Sequence, residues 1–424
     1  MSATLVREGT LEARLLDVLG RDAVVMGEGV AAYTVDGLQP RAAVRPATVE
    51  QVSELLRLAH AERLAVVCWG GGTMMGLGNR PLRYDLALDL RRLDQVVEHE
   101  PADLTATVQA GITLASLQER LGRHGQMVGL DPPYPRRATV GGTLATAVAG
   151  PRRLSLGHPR DITIGMRVVL ADGRVTRAGG RVVKNVAGYD LCKLYTGSLG
   201  TLAVIVEATF KLYPRPRAEA ALFFSFEGAE GACRLAREGR RRGLALASAT
   251  VQRQEGAYLL LARLAGTERA VERSALELHS LASPLGGETV AGVMDRWEAA
   301  MAAPAGPARG LTLRWGLLPA RLPQAMERLG DLSPSLLVAF PTVGTLYARW
   351  EDIDDAAALM AAEGARRLAR EWEATLTVHS CPAALKEGLD VFGEPPSSWR
   401  LMRQVKERWD ERGVLAPGRF LGRL

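Results

Sequence analysis

The sequence of 424 residues has little lysine and few aromatic residues, and each scarcity limits what the chain can be. Only five of its 53 basic residues are lysines, so arginine carries the net charge of +6. Arginine suits bidentate contacts with carboxylates and phosphates. No run of about 18 apolar residues occurs, so we expect no transmembrane segment. The N-terminus has no hydrophobic stretch after Arg7, which argues against a secretory signal and favours a cytoplasmic location.

Cysteine and clustered histidine are also scarce. The four cysteines, Cys68, Cys192, Cys233 and Cys381, are widely scattered and form no Cys-x-x-Cys pair. No two of the six histidines have the i, i+4 spacing of metal ligands. We therefore expect no metal site in this chain, so an iron-sulfur centre would have to lie in a partner. No nucleic-acid-binding module or aromatic interleaving accompanies the basic residues, so no nucleic-acid partner is expected.

Glycine, by contrast, is abundant and clusters in two regions. The triplet Gly70-Gly71-Gly72 follows the apolar run 64–69, and a second series of glycines punctuates residues 138–216. Glycine lacks Cβ and tolerates positive φ, so such loops let backbone amides approach a bulky, phosphate-bearing ligand. No Walker lysine and no Rossmann spacing follow the triplet. Taken alone, a triple glycine is more typical of a turn; paired with the second region, it predicts a large cofactor.

Several motifs resemble the FAD-binding oxidoreductases of the vanillyl-alcohol oxidase, or PCMH, type, and within them the FAD-binding E subunit of bacterial glycolate oxidase. The resemblance covers residues 35–216 well and the last 40 or so moderately. Near the C-terminus Pro417-Gly418-Arg419 matches the family ending, although Ala416 replaces its asparagine. The other matching motifs are Arg45-Pro46-Ala47-Thr48-Val49-Glu50-Gln51-Val52, Ala149-Gly150-Pro151-Arg152-Arg153, and Lys184-Asn185-Val186-Ala187-Gly188-Tyr189-Asp190.

The resemblance implies an α+β fold with an FAD-binding domain of two α+β subdomains, an antiparallel-sheet cap domain and a C-terminal helical return. We expect an N-terminal helical extension over residues 1–34 and the FAD-binding domain over 35–216. The cap or substrate-type domain is expected over 217–380. Residues 381–424 are expected to pack back on the FAD-binding domain.

The resemblance also implies noncovalent FAD. The amides of residues 70–73 would meet its pyrophosphate, and the 197–201 turn would line the adenosine or pyrophosphate end. Lys184 and Tyr189 are equally consistent with a flavin contact and with a turn. Ala203 replaces a family glycine, so its methyl would either meet the ligand or tighten the core. The predicted cofactor-binding residues are Gly70, Gly71, Gly72, Thr73, Pro132, Thr139, Gly141, Gly142, Ala145, Lys184, Tyr189, Gly197, Ser198, Gly200, Thr201, Val204 and Ile205.

The sequence gives fewer indications of the residues that would bind and deprotonate a substrate. Family members that oxidise 2-hydroxy acids carry a histidine-rich motif that this chain lacks, so its catalytic residues are unassigned. His379 is a candidate base and Arg349 a candidate carboxylate clamp, although an isolated histidine is more typical of a structural role.

Three functions stay open. The favoured one is an FAD-binding subunit of a glycolate oxidase complex, relaying electrons beside a catalytic flavin subunit and an iron-sulfur subunit, with peripheral membrane association through those partners left open. The alternatives are a stand-alone dehydrogenase for D-lactate or another 2-hydroxy acid, and a scaffold that has the fold but binds flavin weakly or not at all.

Overall fold

The computed structural model describes residues 10–180, 189–291, 298, 300–307 and 309–424. Within these residues the strands form three sheets that follow one another along the chain. The helices are α1 (Leu11–Leu19), α2 (Val49–Glu62), α3 (Leu114–Gly122), α4 (Val140–Thr146), α5 (Arg153–Leu156), α6 (Pro159–Ile162), α7 (Leu191–Tyr195), α8 (Ala229–Arg241), α9 (Glu268–Ala282), α10 (Leu322–Gly330), α11 (Asp355–Glu371), α12 (Leu385–Gly388) and α13 (Trp399–Trp409).

The N-terminal sheet has the spatial order β1-β2-β4-β3, with β2, β4 and β3 parallel and β1 antiparallel at the edge. Its two inner strands are fully buried, as expected for parallel strands covered on both faces. Helix α2 packs on this sheet through its apolar positions and is capped by Thr48, whose Oγ1 accepts from Gln51 N. The strands are β1 (Val24–Val25), β2 (Ala42–Val44), β3 (Val66–Trp69) and β4 (Leu86–Asp89).

The central sheet is antiparallel and is organised around the long strand β10, which pairs with β6, β7 and β8. The Asp172-Gly173 dipeptide, which is typical of a hairpin turn, joins β8 to β9, with Gly173 at φ +83°. Ser53 Oγ on α2 donates to the carbonyl oxygen of Gly173 and so ties this sheet to the N-terminal one. The strands are β5 (Val96–Glu100), β6 (Thr105–Gln109), β7 (Gln126–Val128), β8 (Thr163–Val169), β9 (Val175–Gly179) and β10 (Val204–Pro214).

The C-terminal sheet has the order β14-β11-β13-β12-β16-β17-β15-β18, and all its pairings are antiparallel. Its strands are β11 (Ala218–Phe226), β12 (Leu246–Gln254), β13 (Ala257–Gly266), β14 (Glu288–Thr289), β15 (Gly310–Gly316), β16 (Leu336–Phe340), β17 (Thr345–Glu351) and β18 (Thr375–Ser380).

The two faces of the C-terminal sheet differ because side chains alternate along a strand. One face is apolar and forms the largest core with α8, α9, α10 and α11. The other face, which we call the polar face, carries Thr250, Thr312, Arg314 and Tyr347 in the alternate positions, next to an apolar cluster around Phe340. The predicted α+β class is confirmed, and the C-terminal sheet is antiparallel, as expected for the cap; the domain boundaries stay predictions.

Candidate functional site

A narrow cleft lies between the N-terminal and central sheets. Strand β3 and the loop that follows it form one wall, and α4 with the start of β10 forms the other. Arg419 closes the cleft from the C-terminal segment. The lining residues are Val67, Cys68, Trp69, Gly70, Gly71, Gly72, Thr73, Met74, Met75, Leu77, Leu90, Ala110, Thr139, Gly141, Gly142, Ala145, Thr146, Leu199, Gly200, Ala203, Ile205 and Arg419.

The glycines at this cleft are required by close approach of the two walls. A Cβ on Gly71 would lie 1.7 Å from the carbonyl oxygen of Arg137, and one on Gly70 would lie 2.1 Å from Thr139 Oγ1. On the opposite wall, a Cβ on Gly141 would lie 2.7 Å from Ala110 Cβ. Any larger residue would therefore force the two loops apart.

The glycine loop, residues 70–73, also has backbone amides that are available to hydrogen-bond a ligand. Among the described residues no acceptor is hydrogen-bonded to the backbone amides of this loop. Buried or half-buried amides normally find partners, so a loop that leaves several unpaired can bind an anion. The glycine loop thus fits a phosphate-bearing cofactor on the evidence of its own backbone.

Arg419 stabilises the chain segment that directly follows the glycine loop. Its guanidinium is buried and donates to the carbonyl oxygens of Met75 and Leu77, and it lies 3.5 Å from Asp36 Oδ2. Lys386 Nζ, also fully buried, donates to Asp36 Oδ1 and to the carbonyl oxygen of Gly76. Burial lowers the pKa of both cations, against the attraction of Asp36. These groups fix the backbone that leads out of the glycine loop.

The structure brings ten of the predicted cofactor residues together in the cleft. Ser198 and Thr201 lie behind the wall, where their hydroxyls donate to the carbonyl oxygens of Tyr195 and Ser198. Val204 is fully buried, Gly197 lies close to Ala147 at the end of α4, and Pro132 lines a different cavity. The ten in the cleft are Gly70, Gly71, Gly72, Thr73, Thr139, Gly141, Gly142, Ala145, Gly200 and Ile205.

The two residues taken from the Lys184–Asp190 motif do not join this group. Tyr189 is 95% exposed, and Lys184 lies outside the described residues. As a binding set, the seventeen residues stay a prediction.

A second cavity, of about 210 Å³, adjoins the cleft and shares Leu77 and Thr146 with it. We call it the arginine pocket, because its polar lining includes two arginines from distant parts of the chain. Its charged and aromatic members are Arg153, His158, Arg314, Phe340, Tyr347, His379 and Phe392. It lies against the polar face of the C-terminal sheet.

Among the residues that the structure describes, the lining of the arginine pocket contains two arginines and no acidic side chain. Burial, Arg153 and Arg160 lower the pKa of His158 to about 4, and burial and Arg314 lower the pKa of His379 to about 4. Both imidazoles are therefore neutral near pH 7. His379 Nδ1 lies 2.9 Å from the carbonyl oxygen of Pro304, which fixes the proton on that nitrogen and leaves Nε2 as an acceptor.

His379, the candidate base, lines the arginine pocket together with Arg153 and Arg314, neither of which was assigned a role from the sequence. Arg349, the predicted clamp, donates to the carbonyl oxygens of Ala302, Ala303 and Ala305, so its guanidinium holds a loop. Arg314 lies opposite Tyr347 in the strand register, on the polar face. The alternation of polar and apolar residues along β15 and β17 was the available signal for that face.

In the described part of the chain, no group of three or more His, Cys, Asp or Glu side chains could hold a metal ion. Within the same residues, no helix is both long and apolar enough to cross a membrane.

Comparisons with known proteins agree with the geometry of the cleft. Residues 40–179 match the family model described as FAD binding domain. Chains of known structure with the same fold include p-cresol methylhydroxylase with substrate bound, at a TM-score of 0.73 and 18% identity over 98% of both chains. Alkyldihydroxyacetonephosphate synthase gives a TM-score of 0.73 at 17% identity, covering 99% of this chain and 88% of the other. Residues 40–179 therefore match an FAD-binding domain, and the chain has the PCMH-type fold that its motifs predicted.

Curated relatives narrow the comparison further. The chain is 35% identical to glycolate oxidase subunit GlcD of Bacillus subtilis over 46% of this chain and 41% of the relative. It is 38% identical to glycolate oxidase subunit GlcE of Escherichia coli over 42% of this chain and 49% of that protein. It is 37% identical to a D-lactate dehydrogenase of Archaeoglobus fulgidus over 49% of this chain and 48% of the relative. The matches span about half the length of these proteins.

Proposed function

We propose that this chain binds FAD noncovalently in the cleft and serves the oxidation of a small 2-hydroxy acid such as glycolate, as the FAD-binding subunit of a glycolate-oxidase-type complex. A catalytic flavin subunit and an iron-sulfur subunit would complete that complex, and this chain would relay electrons beside them. The observation that carries the proposal is the glycine loop, whose unpaired amides lie in a cleft inside the matched FAD-binding domain.

In this role the chain's own residues bind and orient the cofactor. The amides of residues 70–73 offset the charge of the pyrophosphate, and Arg419 keeps their loop in place through the carbonyl oxygens of Met75 and Leu77. Val67 and Leu90 help to exclude water from the cleft. FAD, when bound, supplies the capacity to accept two electrons as a hydride.

Noncovalent attachment is proposed from the state of the cysteine in the cleft. Burial raises the pKa of the Cys68 thiol to about 12, so it is not a thiolate near neutral pH. A thiol in that state is a poor nucleophile. The described lining of the cleft contains no histidine.

A relay subunit is preferred to a complete enzyme because two kinds of residue are missing from the sequence. It contains neither the histidine-rich motif of catalytic relatives nor a Cys-x-x-Cys pair for an iron-sulfur cluster. Two of the relatives are named as subunits of glycolate oxidase. A cytoplasmic location, with contact to a membrane only through partners, is part of the same proposal.

A stand-alone dehydrogenase for D-lactate or a similar acid is a second candidate, and the arginine pocket favours it. Neutral His379, with Nε2 as an acceptor, could take the hydroxyl proton while arginine holds the carboxylate. The scaffold hypothesis is disfavoured by the glycine loop, because a scaffold has no need of unpaired amides in a cleft.

An absorption spectrum of the purified chain, followed by anaerobic addition of glycolate and of D-lactate, tests these candidates. A yellow protein that stays oxidised supports the relay subunit. Bleaching by either acid at a rate compatible with turnover contradicts the relay and supports the stand-alone enzyme. A colourless protein that does not take up added FAD contradicts both and leaves the scaffold.

A further inference from the structure

We infer that Arg153 and Arg314 form a clamp for the carboxylate of a small organic acid in the arginine pocket. The inference rests on the proposed function, since it places the acid beside the cleft on this chain itself. It concerns binding and is independent of whether this chain or a partner carries out the oxidation.

The two arginines are brought to the pocket by rigid parts of the fold. Arg153 begins α5, directly after the Ala149-Gly150-Pro151 turn. Asp131 holds that turn, since its carboxylate oxygens accept from Gly150 N at 2.9 Å and Arg152 N at 2.8 Å. Burial raises the pKa of Asp131 to about 6, against the lowering by these amides.

Arg314 approaches from the C-terminal sheet. It occupies the middle of β15, with Tyr347 on β17 opposite it on one side and Thr377 on β18 on the other. All three line the arginine pocket. Burial raises the pKa of Tyr347 while Arg314 and then Arg153 lower it, so both guanidinium groups lie near this hydroxyl. A central strand gives the Arg314 backbone little freedom, as a preorganised binding group requires.

Neither guanidinium group lies within salt-bridge distance of a carboxylate in the described part of the chain, although the Asp161 carboxylate raises the pKa of Arg153 from farther away. Burial and the nearby Arg314 lower the pKa of Arg153, which is the signature of like charges brought together away from water. Two half-buried cations facing one cavity are costly unless an anion joins them. A carboxylate would relieve the repulsion and accept bidentate hydrogen bonds, which the planar guanidinium geometry suits.

The dimensions and lining of the pocket limit the acid to a small one. A cavity of about 210 Å³ is below the ~300–1,000 Å³ of sites for drug-sized ligands. Phe340, Val343 and Phe392 form its apolar part. The shared residues Leu77 and Thr146 connect it to the cleft. The pocket therefore suits an acid with few carbon atoms, held next to the cofactor.

Isothermal titration calorimetry with oxalate, a non-oxidisable small carboxylate, tests the clamp on the purified full chain. Losing a charge-assisted hydrogen bond costs about 1.5–3 kcal/mol. The dissociation constant for oxalate should therefore rise about 10- to 100-fold in Arg314→Gln and in Arg153→Gln. Arg153→Lys should fall between wild type and Arg153→Gln, because the charge stays and the bidentate geometry is lost.

Arg269→Gln is the matched control. Arg269 is an exposed residue of α9, on the opposite side of the C-terminal sheet, and its loss should leave oxalate affinity within about twofold. Absence of oxalate binding in the wild type, or equal affinity in the folded arginine variants and the control, overturns the inference. Thermal unfolding with and without oxalate gives a second readout if one variant folds poorly, since only a protein with the clamp intact should gain stability.

The outcome is separable from that of the proposed function. A chain that binds oxalate through both arginines but takes up no FAD keeps the clamp and refutes the flavoprotein proposal. A yellow chain whose oxalate affinity is unchanged in both arginine variants refutes the clamp and keeps the flavoprotein proposal.

Discussion

The cleft and the arginine pocket share Leu77 and Thr146 in their linings, yet they offer an anion different chemical groups. The cleft offers an anion the backbone amides of a glycine loop, with one buried arginine acting behind them. The pocket offers side-chain cations, with Arg153 and Arg314 facing one small cavity.

The difference shows two ways of preparing a site for negative charge. Backbone amides carry partial charges that cost little to bury, so a glycine loop can face a cleft at every pH. Side-chain cations carry full charges whose burial and mutual repulsion must be offset. The cleft should therefore respond mainly to changes of shape, and the pocket mainly to changes of charge and pH.

The largest expected effect comes from adding bulk to the cleft. In Gly71→Val the new Cβ would meet the carbonyl oxygen of Arg137 at 1.7 Å, so the glycine loop must move and its amides no longer converge. We expect FAD content at purification to fall about tenfold or more, which corresponds to at least ~1.4 kcal/mol. Absorbance at flavin wavelengths relative to protein measures it.

Gly388→Val is the matched control, because nothing lies within 4 Å of a Cβ at Gly388. Circular dichroism should show both variants folded. Full FAD occupancy in folded Gly71→Val would mean that the glycine loop does not hold the cofactor.

A somewhat smaller effect on FAD binding is expected from Arg419, whose guanidinium holds the chain that follows the glycine loop. Arg419→Met removes hydrogen bonds to the carbonyl oxygens of Met75 and Leu77, leaving both buried acceptors unpaired. We expect the free energy of unfolding to fall by about 3 kcal/mol and FAD affinity to weaken about tenfold. Urea denaturation and flavin fluorescence measure the two. Arg177→Met, at an exposed residue of β9, is the control, and equal stability of the two variants would contradict the supporting role.

These two regions also differ in how far the sequence alone could predict them. The cleft was largely predictable, because glycines within a few positions of one another mark a loop whose backbone must approach something closely. Ten residues predicted from two stretches about 70 residues apart do line one cleft. The strands around them were predictable from apolar runs and the Asp172-Gly173 turn.

The arginine pocket was not predictable, because Arg153 on α5 and Arg314 on β15 are more than 150 residues apart in the sequence. Which of many arginines face one another depends on strand register, as the pairing of Arg314 with Tyr347 shows. Arg349, two residues further along β17, looked equally suitable in the sequence but donates to loop carbonyls. The local sequence around Arg314 and around Arg349 does not show which of the two faces a cavity.

A moderate effect is expected on how the stability of the fold depends on pH, through His379 in the arginine pocket. The pKa of His379 is about 4 in the folded chain, where burial and Arg314 disfavour its charge, and about 6.5 for an unfolded histidine. Between these values the unfolded state binds the proton, so stability should fall as pH falls from about 6.5 to about 4. His379→Gln should flatten this slope by up to about 1.4 kcal/mol per pH unit.

Urea denaturation at several pH values measures the slope. Asp131, with its pKa raised to about 6, acts in the opposite direction below pH 6, so only the difference between wild type and variant isolates His379. His124→Gln, at an exposed residue, should leave the slope as in the wild type. Parallel slopes in wild type and His379→Gln would show that His379 carries no such penalty.

The smallest effect concerns the one cleft position where this chain departs from the resembled family. Ala203 lines the cleft but is only 1% exposed, and it packs in the core of the central sheet. If its methyl serves packing, Ala203→Gly should cost about 0.5–1 kcal/mol of stability and leave FAD affinity within about twofold. Flavin fluorescence titration and urea denaturation measure both. A gain in FAD affinity of tenfold would instead show that the methyl meets the cofactor, and that shape limits binding even on the wall opposite the glycine loop.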